Sequence, residues 1–231
     1  MNYAWEMLGE GVHRCRLPFL DVTIGLVCGR TGTLLIDTGT TLAEANAIRA
    51  DVAEITGSAV SHIMLTHNHF DHILGSSAFG GAAVYCAPEV AATIADHAGE
   101  LRAHAIRYGA DPDEVASAIA ALRPPENLVC EAELDLGGTT VTITHPGRGH
   151  TCHDLIAVIA DGDRPVVFCG DLVEESGDPA IGQQLDLAAW PATLRRVLEA
   201  GGSAATFVPG HGSVVGAEFV EHQRRWLREQ V

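Results

Sequence analysis

Short apolar runs alternate along the chain with longer stretches of helical periodicity. The apolar runs are rich in β-branched residues and are bounded by Gly, Asp or Pro, which is typical of strands. They predict strands at 22–28, 33–37, 62–66, 82–86, 139–144, 155–160, 165–169 and 205–208. Helices are predicted at 42–56, 89–108, 112–122, 187–200 and 217–230. Strands interleaved with helices predict a layered α/β domain.

The sequence predicts the start of one helix from several signals. Asp111 can cap the helix, Pro112 suits its first position, and Asp113 and Glu114 place acids in its first turn. This helix belongs to a helical insertion at about 89–127, between two strand regions. The insertion is either a lid over a site or an ordinary packing layer. We expect one domain spanning residues 1–231, because no linker or low-complexity tract divides the chain.

Composition narrows the classes of function. The 231 residues include 30 acidic and 14 basic side chains; all 14 are Arg, and the net charge is −16. A chain this acidic repels a phosphate backbone, so nucleic acid is not an expected partner. With 47% hydrophobic and 19% charged residues, the chain is not a disordered segment, and its length suits one core.

The amino terminus, the apolar stretches and the cysteines together predict a cytoplasmic protein. The amino terminus lacks a basic region followed by an apolar run, so no signal peptide is expected. The longest stretch without charged residues or histidine, 73–88, is too short and too rich in Gly to span a bilayer, so no membrane partner is expected. The six cysteines lack any CxxC or disulfide-like spacing, which predicts reduced and mostly buried thiols.

Histidine is abundant, with 12 residues, and four potential ligands crowd into the segment Thr66-His67-Asn68-His69-Phe70-Asp71-His72. Alternation places His67 and His69 on one side of the chain, where two imidazoles can reach one cation. Asp71 and His72 then point in another direction and can bind a second cation. Four such groups desolvate poorly unless a cation holds them together.

The same arrangement recurs further along the chain. The apolar run at 165–169 leads through Gly170 into Asp171, and the run at 205–208 leads through Pro209 and Gly210 into His211. The run at 139–144 leads into His150. In α/β sheets, sites form where strands end and loops begin, so we expect these side chains to meet.

These motifs resemble those of the metallo-β-lactamase superfamily. His67-Asn68-His69-Phe70-Asp71-His72 matches its HxHxDH signature. The remaining motifs follow in family order: Ile36-Asp37-Thr38-Gly39 before it, then Gly149-His150-Thr151, Gly170-Asp171 and Pro209-Gly210-His211-Gly212. The resemblance implies a four-layer αββα sandwich with metals at one edge of the sheets.

The resemblance also implies a ligand set for two divalent metal ions. His67, His69 and His150 would hold one ion, Asp71, His72 and His211 the second, and Asp171 would bridge both. Zinc is the expected metal, and the same ligands also suit iron or manganese. Asp37 would orient the histidine loop through hydrogen bonds. Asp71 would be catalytic, orienting a metal-bridging hydroxide and handling its proton.

The resemblance predicts a metal-dependent hydrolase of a small ester, thioester, lactone or amide, with no particular substrate singled out. Departures from named branches leave the branch open. The bridging position is Asp171 where zinc β-lactamases of one branch have Cys, and no Lys is present to hold a drug carboxylate. Arg148 could replace that Lys, although a loop Arg is more often solvent-exposed. His153 lies one residue earlier than the second histidine of glyoxalase II-like thioesterases.

Several alternatives remain open at this stage. Tyr108 is a speculative oxyanion donor for a lactonase, and Cys152, beside the His150 motif, is interpreted as structural and not as a nucleophile. The other functions considered are an iron-dependent oxidoreductase of the same superfamily, β-lactam hydrolysis as a main or side activity, and a non-catalytic metal-binding protein. The expected partner is a small-molecule substrate. The oligomeric state is left open, with a dimer as one option.

Overall fold

A computed structural model of the chain describes residues 1–160, 164–180 and 185–231. Its helices are α1 Leu42–Thr56, α2 Phe70–Ile73, α3 Pro88–Asp96, α4 Ala98–Arg107, α5 Pro112–Ala121, α6 Trp190–Gly201 and α7 Ala217–Glu229. Its strands are β1 Glu6–Gly9, β2 Val12–Arg16, β3 Thr23–Cys28, β4 Thr33–Ile36, β5 His62–Met64, β6 Ala83–Cys86, β7 Asn127–Leu128, β8 Glu131–Asp135, β9 Thr140–Thr144, β10 Ile156–Ile159, β11 Val166–Glu174 and β12 Thr206–His211.

The strands form two sheets. The first has the order β1-β2-β3-β4-β5-β6-β7, antiparallel through β4 and parallel from β4 onward. The second has the order β12-β11-β10-β9-β8, in which only the β11–β12 pair is parallel among the described strands. Parallel pairs bring the ends of successive strands to one edge, and this is where the predicted ligands lie.

Alternation along β11 shows how the layers stack. Val166 and Phe168 belong to the core cluster between the two sheets, whereas Val167 and Cys169 face the opposite way and pack with Trp190 and Leu194 of α6. A strand that is apolar on both faces must be covered on both sides. Helices α6 and α7 cover this sheet, and residues of α1, α3, α4 and α5 join the core of the other. The result is the αββα sandwich that the sequence predicted.

Two helices carry the caps expected from their sequences. Thr41 and Glu44 form a reciprocal capping box at the start of α1, and Gly57 ends it in the left-handed conformation. Asp111 accepts hydrogen bonds from the backbone N–H groups of Asp113 and Glu114, so α5 begins where the sequence predicted.

The sequence prediction was wrong in several places. The helix predicted at 89–108 is two helices, because the chain leaves helical geometry at His97, close to Gly99. The helix predicted at 187–200 begins only at Trp190. Strands β1, β2, β7 and β8 were missed, since they are short or charged: β8 exposes Glu131, Glu133 and Asp135 along its length. Such charged edges discourage pairing with other chains and blur the apolar pattern.

Candidate metal centre

The structure brings all seven predicted ligands together at one edge of the sandwich. Taking one nitrogen or oxygen atom from each residue, they form two groups in which these atoms lie within 4.8 Å of one another. The first group is His67, His69, His150 and Asp171, and the second is Asp71, His72 and His211. Residues 67–72 follow β5 and enter α2, His150 lies in the loop between β9 and β10, and Asp171 and His211 belong to β11 and β12.

Asp171 lies between the two groups. Its Oδ2 is 3.5 Å from His67 Nε2 and 3.4 Å from His150 Nε2, and also 3.4 Å from His211 Nε2. Its Oδ1 is 3.2 Å from His72 Nε2. Ligands bound to one tetrahedral zinc at 2.0–2.1 Å lie about 3.3 Å apart, so these separations match the edges of a coordination tetrahedron. Asp171 is therefore placed to touch a cation in either group.

Hydrogen bonds at the far side of three rings fix which nitrogen faces the centre. The Nδ1 atoms of His72 and His211 lie 2.8 Å from Asp37 Oδ2 and 2.7 Å from the Leu20 carbonyl oxygen, respectively. His67 Nδ1 is 3.0 Å from Thr66 Oγ1. When Nδ1 donates, the neutral ring presents the lone pair of Nε2, which is the arrangement that metal-binding histidines need.

Asp37 joins the histidine segment to the end of β4 through hydrogen bonds. Its Oδ1 accepts a hydrogen bond of 2.8 Å from the backbone N–H of Thr66, and its Oδ2 accepts one of 2.8 Å from Thr66 Oγ1. The residue is 2% exposed and has a φ of +62°. Asp tolerates this left-handed conformation better than most residues, so both backbone and carboxylate favour Asp here.

The buried carboxylates of the centre need positive charge nearby to balance them. Burial lowers the pKa of His67 well below its ordinary value and that of His150 to about 3, so both rings are neutral and can give a lone pair. Burial also opposes protonation of His72 and His211. There, the nearby carboxylates, of which Asp171 contributes most, together outweigh burial and raise the pKa of His72 well above its ordinary value and that of His211 to about 10. Protons on these two rings balance the carboxylates that cations would otherwise balance.

Unpaired atoms support the same interpretation. Within the described residues, His67 Nε2 is fully buried and has no hydrogen-bond partner. A buried polar atom without a partner is costly, and a cation bound to the lone pair removes that cost. The donor set of imidazole nitrogens and carboxylate oxygens fits zinc, and also iron or manganese. The residues present therefore fit two divalent cations.

The loop that carries His150 is held by contacts that the sequence did not reveal. Asp154 accepts hydrogen bonds from the backbone N–H and the hydroxyl of Thr151, at 2.7 and 2.8 Å. Thr193 of α6 donates to the Arg148 carbonyl oxygen at 2.6 Å, and the Trp190 ring lies edge-on to His150 with centroids 5.8 Å apart. Helix α6 thus fixes the loop against the second sheet.

The remaining candidate residues lie around the centre. Arg148 is exposed, with its side chain 63% accessible, and pairs with Asp186 at 3.2 Å. Tyr108 is 51% exposed, and its ring packs near Phe70 and His104. The ring of His104, in α4 of the insertion, meets His69 edge-on at 5.9 Å. The insertion thus packs into the core and also touches the centre.

The cysteine prediction was only partly right. All six thiols are free, as expected. Cys15, Cys86 and Cys169 are buried, but Cys130 and Cys152 are exposed. Cys152 Sγ lies 3.6 Å from Nδ1 of the buried His153. Exposure of Cys152 argues against a role as core filler.

Glu174 is a residue near the centre that the sequence did not predict. Its carboxylate lies within 4.8 Å of ligand atoms of Asp171 and His211. Residues three apart on a regular strand point to opposite faces. Here, irregularities in the pairing of β11 with β12 between Gly170 and Glu174 bring both acids to one side. A register shift of this kind leaves no local signature in the sequence.

Comparison with known proteins places this centre in a family. The profile of the metallo-β-lactamase superfamily matches residues 17–211. The chain belongs to the metallo-β-lactamase superfamily. The matched range includes all seven converging residues.

Relatives within the superfamily are named for different activities. The chain is 26% identical to an acyl-coenzyme A thioesterase, MBLAC2, of Bos taurus over 94% of this chain and 83% of the relative. It is 26% identical to a type 2 metallo-β-lactamase of Bacteroides fragilis over 47% of this chain, and that match spans only 43% of the relative. The solved structure of the FIM-1 metallo-β-lactamase of Pseudomonas aeruginosa, in a mono-zinc form, has a TM-score of 0.72 at 20% identity, covering 99% of this chain and 96% of FIM-1. This last likeness establishes the fold.

No helix in the described ranges is both long and apolar enough to cross a membrane.

Proposed function

We propose that the protein is a binuclear metal-dependent hydrolase of small acyl compounds, with thioesters and esters as the leading substrate class. Lactones and amides belong to the same reaction class. Membership of the superfamily supports metal-dependent hydrolysis, and the thioesterase relative, aligned over most of both chains, favours thioesters. The number of ions, their identity as zinc and the cytoplasmic location are part of the proposal.

The observation that carries the proposal is the position of Asp171 between the two ligand groups. A carboxylate with one oxygen near His67 and His150 and the other near His72 can bridge two cations. Two divalent cations held there would supply a nucleophilic water of lowered pKa and a Lewis acid for the acyl oxygen. No serine or cysteine nucleophile is required.

The chain's own residues then have distinct tasks. His67, His69 and His150 would hold the first cation, and Asp71, His72 and His211 the second. The Asp71 carboxylate, 3.4 Å from His211 Nε2 and 3.6 Å from His72 Nε2, would orient the attacking water and accept its proton. Asp37 and the Leu20 carbonyl would keep His72 and His211 in the tautomer that offers Nε2. Exposed Arg148, which pairs with Asp186, would be available to a remote anionic part of a substrate.

Elemental analysis together with a substrate panel tests the proposal. The purified protein should contain about two zinc ions per chain and should hydrolyse at least one member of a panel of thioesters, esters, lactones and β-lactams. His67→Ala and Asp171→Ala should lose metal and turnover together. His222→Ala, which removes an exposed histidine of α7, is the matched control and should retain both.

The same experiment separates the alternatives. One iron per chain with oxygen uptake would replace the proposal by an iron-dependent oxidoreductase. Bound metal with no turnover across the panel would indicate a non-catalytic metal-binding protein. Turnover confined to β-lactams would assign the protein to the activity for which its Bacteroides fragilis relative is named. Unchanged metal content in both ligand variants would contradict the site itself.

A further inference from the structure

Glu174 adds a fourth carboxylate to the edge of the centre. Its carboxylate lies beside His211. His211 and His69 are the two members of the ligand set that are only partly buried. Glu174 Oε1 accepts a hydrogen bond of 3.1 Å from Ser176 Oγ at the protein surface. The carboxylate is therefore half-buried beside the second ligand group and can be reached from solvent.

Glu174 has no arginine or lysine partner among the described residues. No arginine in the described parts of the chain lies within ion-pair distance of it, and the chain has no lysine. Among the protein's own groups, burial and the charge of Asp171 raise the pKa of Glu174 to about 7, and His211 and His72 oppose this rise. Divalent cations bound beside it would favour its ionised form. A negative charge placed here acts on whatever approaches the centre from this side.

The negative charges of the carboxylates near the centre can be compared with the positive charges of the proposed cations. Asp37, Asp71 and Asp171 contribute three negative charges, and two divalent cations contribute four positive charges. The hydroxide that the proposed reaction needs adds one more negative charge, so the sum is zero before Glu174 is counted. With Glu174 ionised, the loaded centre carries a net charge of −1, inside a protein whose net charge is −16. An anionic group next to the reacting bond then gains nothing from the centre and is repelled by Glu174.

We propose that Glu174 is a specificity-determining residue that makes the centre select substrates whose acyl part carries no negative charge. This inference rests on the proposed function, because it refines the substrate class of that site. It concerns the group beside the scissile bond and leaves a distant anionic handle unaffected. β-Lactams that carry a carboxylate beside the lactam would accordingly be poor substrates.

Anion binding to the cobalt-loaded protein tests the inference without turnover. The visible spectrum of bound Co2+ reports both its stoichiometry and the approach of a small ligand. Titration with acetate and with neutral acetamide should show that Glu174→Gln binds acetate about three- to tenfold more tightly than the parent protein. The affinity for acetamide should not change.

Two further variants isolate the charge at position 174. Glu174→Asp keeps the negative charge and should retain the parent's weak acetate binding. Glu133→Gln removes the same charge from exposed β8, at the far edge of the same sheet, and should also behave like the parent. Equal acetate affinities in the parent protein and Glu174→Gln would overturn the inference, as would tighter binding in Glu133→Gln of the same size.

Turnover distinguishes failure of the inference from failure of the proposed function. With a phenyl ester of acetic acid and the mono-phenyl ester of succinic acid, Glu174→Gln should lower KM for the anionic ester and leave KM for the neutral ester unchanged. Two bound cobalt ions and the expected acetate contrast, with no turnover of either ester, would sustain the role of Glu174 in anion exclusion and reject the hydrolase. A parent protein that binds no cobalt would overturn both.

Discussion

Nδ1 of His72 lies 2.8 Å from Oδ2 of Asp37, and this contact joins the end of one parallel strand to the ligand segment that follows the next. The same carboxylate also fixes Thr66. Three groups around the centre thus depend on one buried side chain that does not itself face the proposed cations.

Replacing Asp37 should weaken metal binding without removing any proposed ligand. We expect Asp37→Ala to lower affinity for the second metal by about 10- to 100-fold, because His72 loses the acceptor that orients it. Asp37→Asn keeps the left-handed backbone preference and should have a smaller effect. Competition with a chromophoric chelator measures both affinities.

Asp51 provides a matched control for this variant. It is also a buried carboxylate, and it accepts hydrogen bonds from the Asn2 and Tyr3 backbone and from Trp5, away from the centre. Asp51→Ala should lower the free energy of unfolding by about 1–3 kcal/mol while leaving metal affinity intact. Equal loss of metal affinity in Asp51→Ala and Asp37→Ala would contradict a specific role for Asp37.

Gly210 should be intolerant of any side chain. A Cβ atom added there would collide with Asp171 Oδ1 and would lie 2.9 Å from the Asp171 backbone nitrogen. Gly210→Ala must therefore displace the Asp171 carboxylate, and we expect loss of both proposed metals in elemental analysis. Gly80→Ala, where nothing lies within 4 Å of the added atom, is the control and should retain the parent's metal content.

Metal removal should lower thermal stability. Cations that bind only the folded chain stabilise it by about 2.7 kcal/mol per site when free metal is one hundred times Kd. In a chain of this size, that corresponds to a fall in Tm of about 5–10 °C per site on chelation. Scanning calorimetry with and without chelator measures the change, and added zinc should reverse it. An unchanged Tm would argue against tight binding to the folded state.

His153 should make the fold sensitive to acid. Burial lowers its pKa to about 4, so between about pH 4 and its unfolded value of 6.5 the unfolded state binds the extra proton. Stability from this group is complete above pH 6.5 and is lost as pH falls toward 4, by up to about 3 kcal/mol.

Denaturant unfolding at several pH values tests this dependence. His153→Gln should show a shallower fall in the free energy of unfolding between pH 6.5 and pH 4 than the parent protein. His222→Gln, at an exposed position of α7, should follow the parent. The same pH slope in the parent and His153→Gln would show that other groups cause the acid sensitivity.

The sequence by itself determined the elements with strong periodicity and the chemistry of the ligands. Its eight predicted strands all exist in the structure, because apolar, β-branched runs bounded by Gly, Asp or Pro have few alternatives. The motifs around His67, His150, Asp171 and His211 also sufficed to indicate the superfamily. That these residues bind two cations stays a prediction.

Tertiary structure decided what local pattern cannot encode. The edge strands β1 and β8 gain their pairing from neighbours, so their charged sequences did not predict them. The Leu20 carbonyl reaches His211 from 191 residues away. Glu174 joins Asp171 only because the β11–β12 register shifts between them. Ligand identity is a property of single side chains, whereas the orientation and charge of the centre arise from contacts between distant segments, which form only when the two sheets pack.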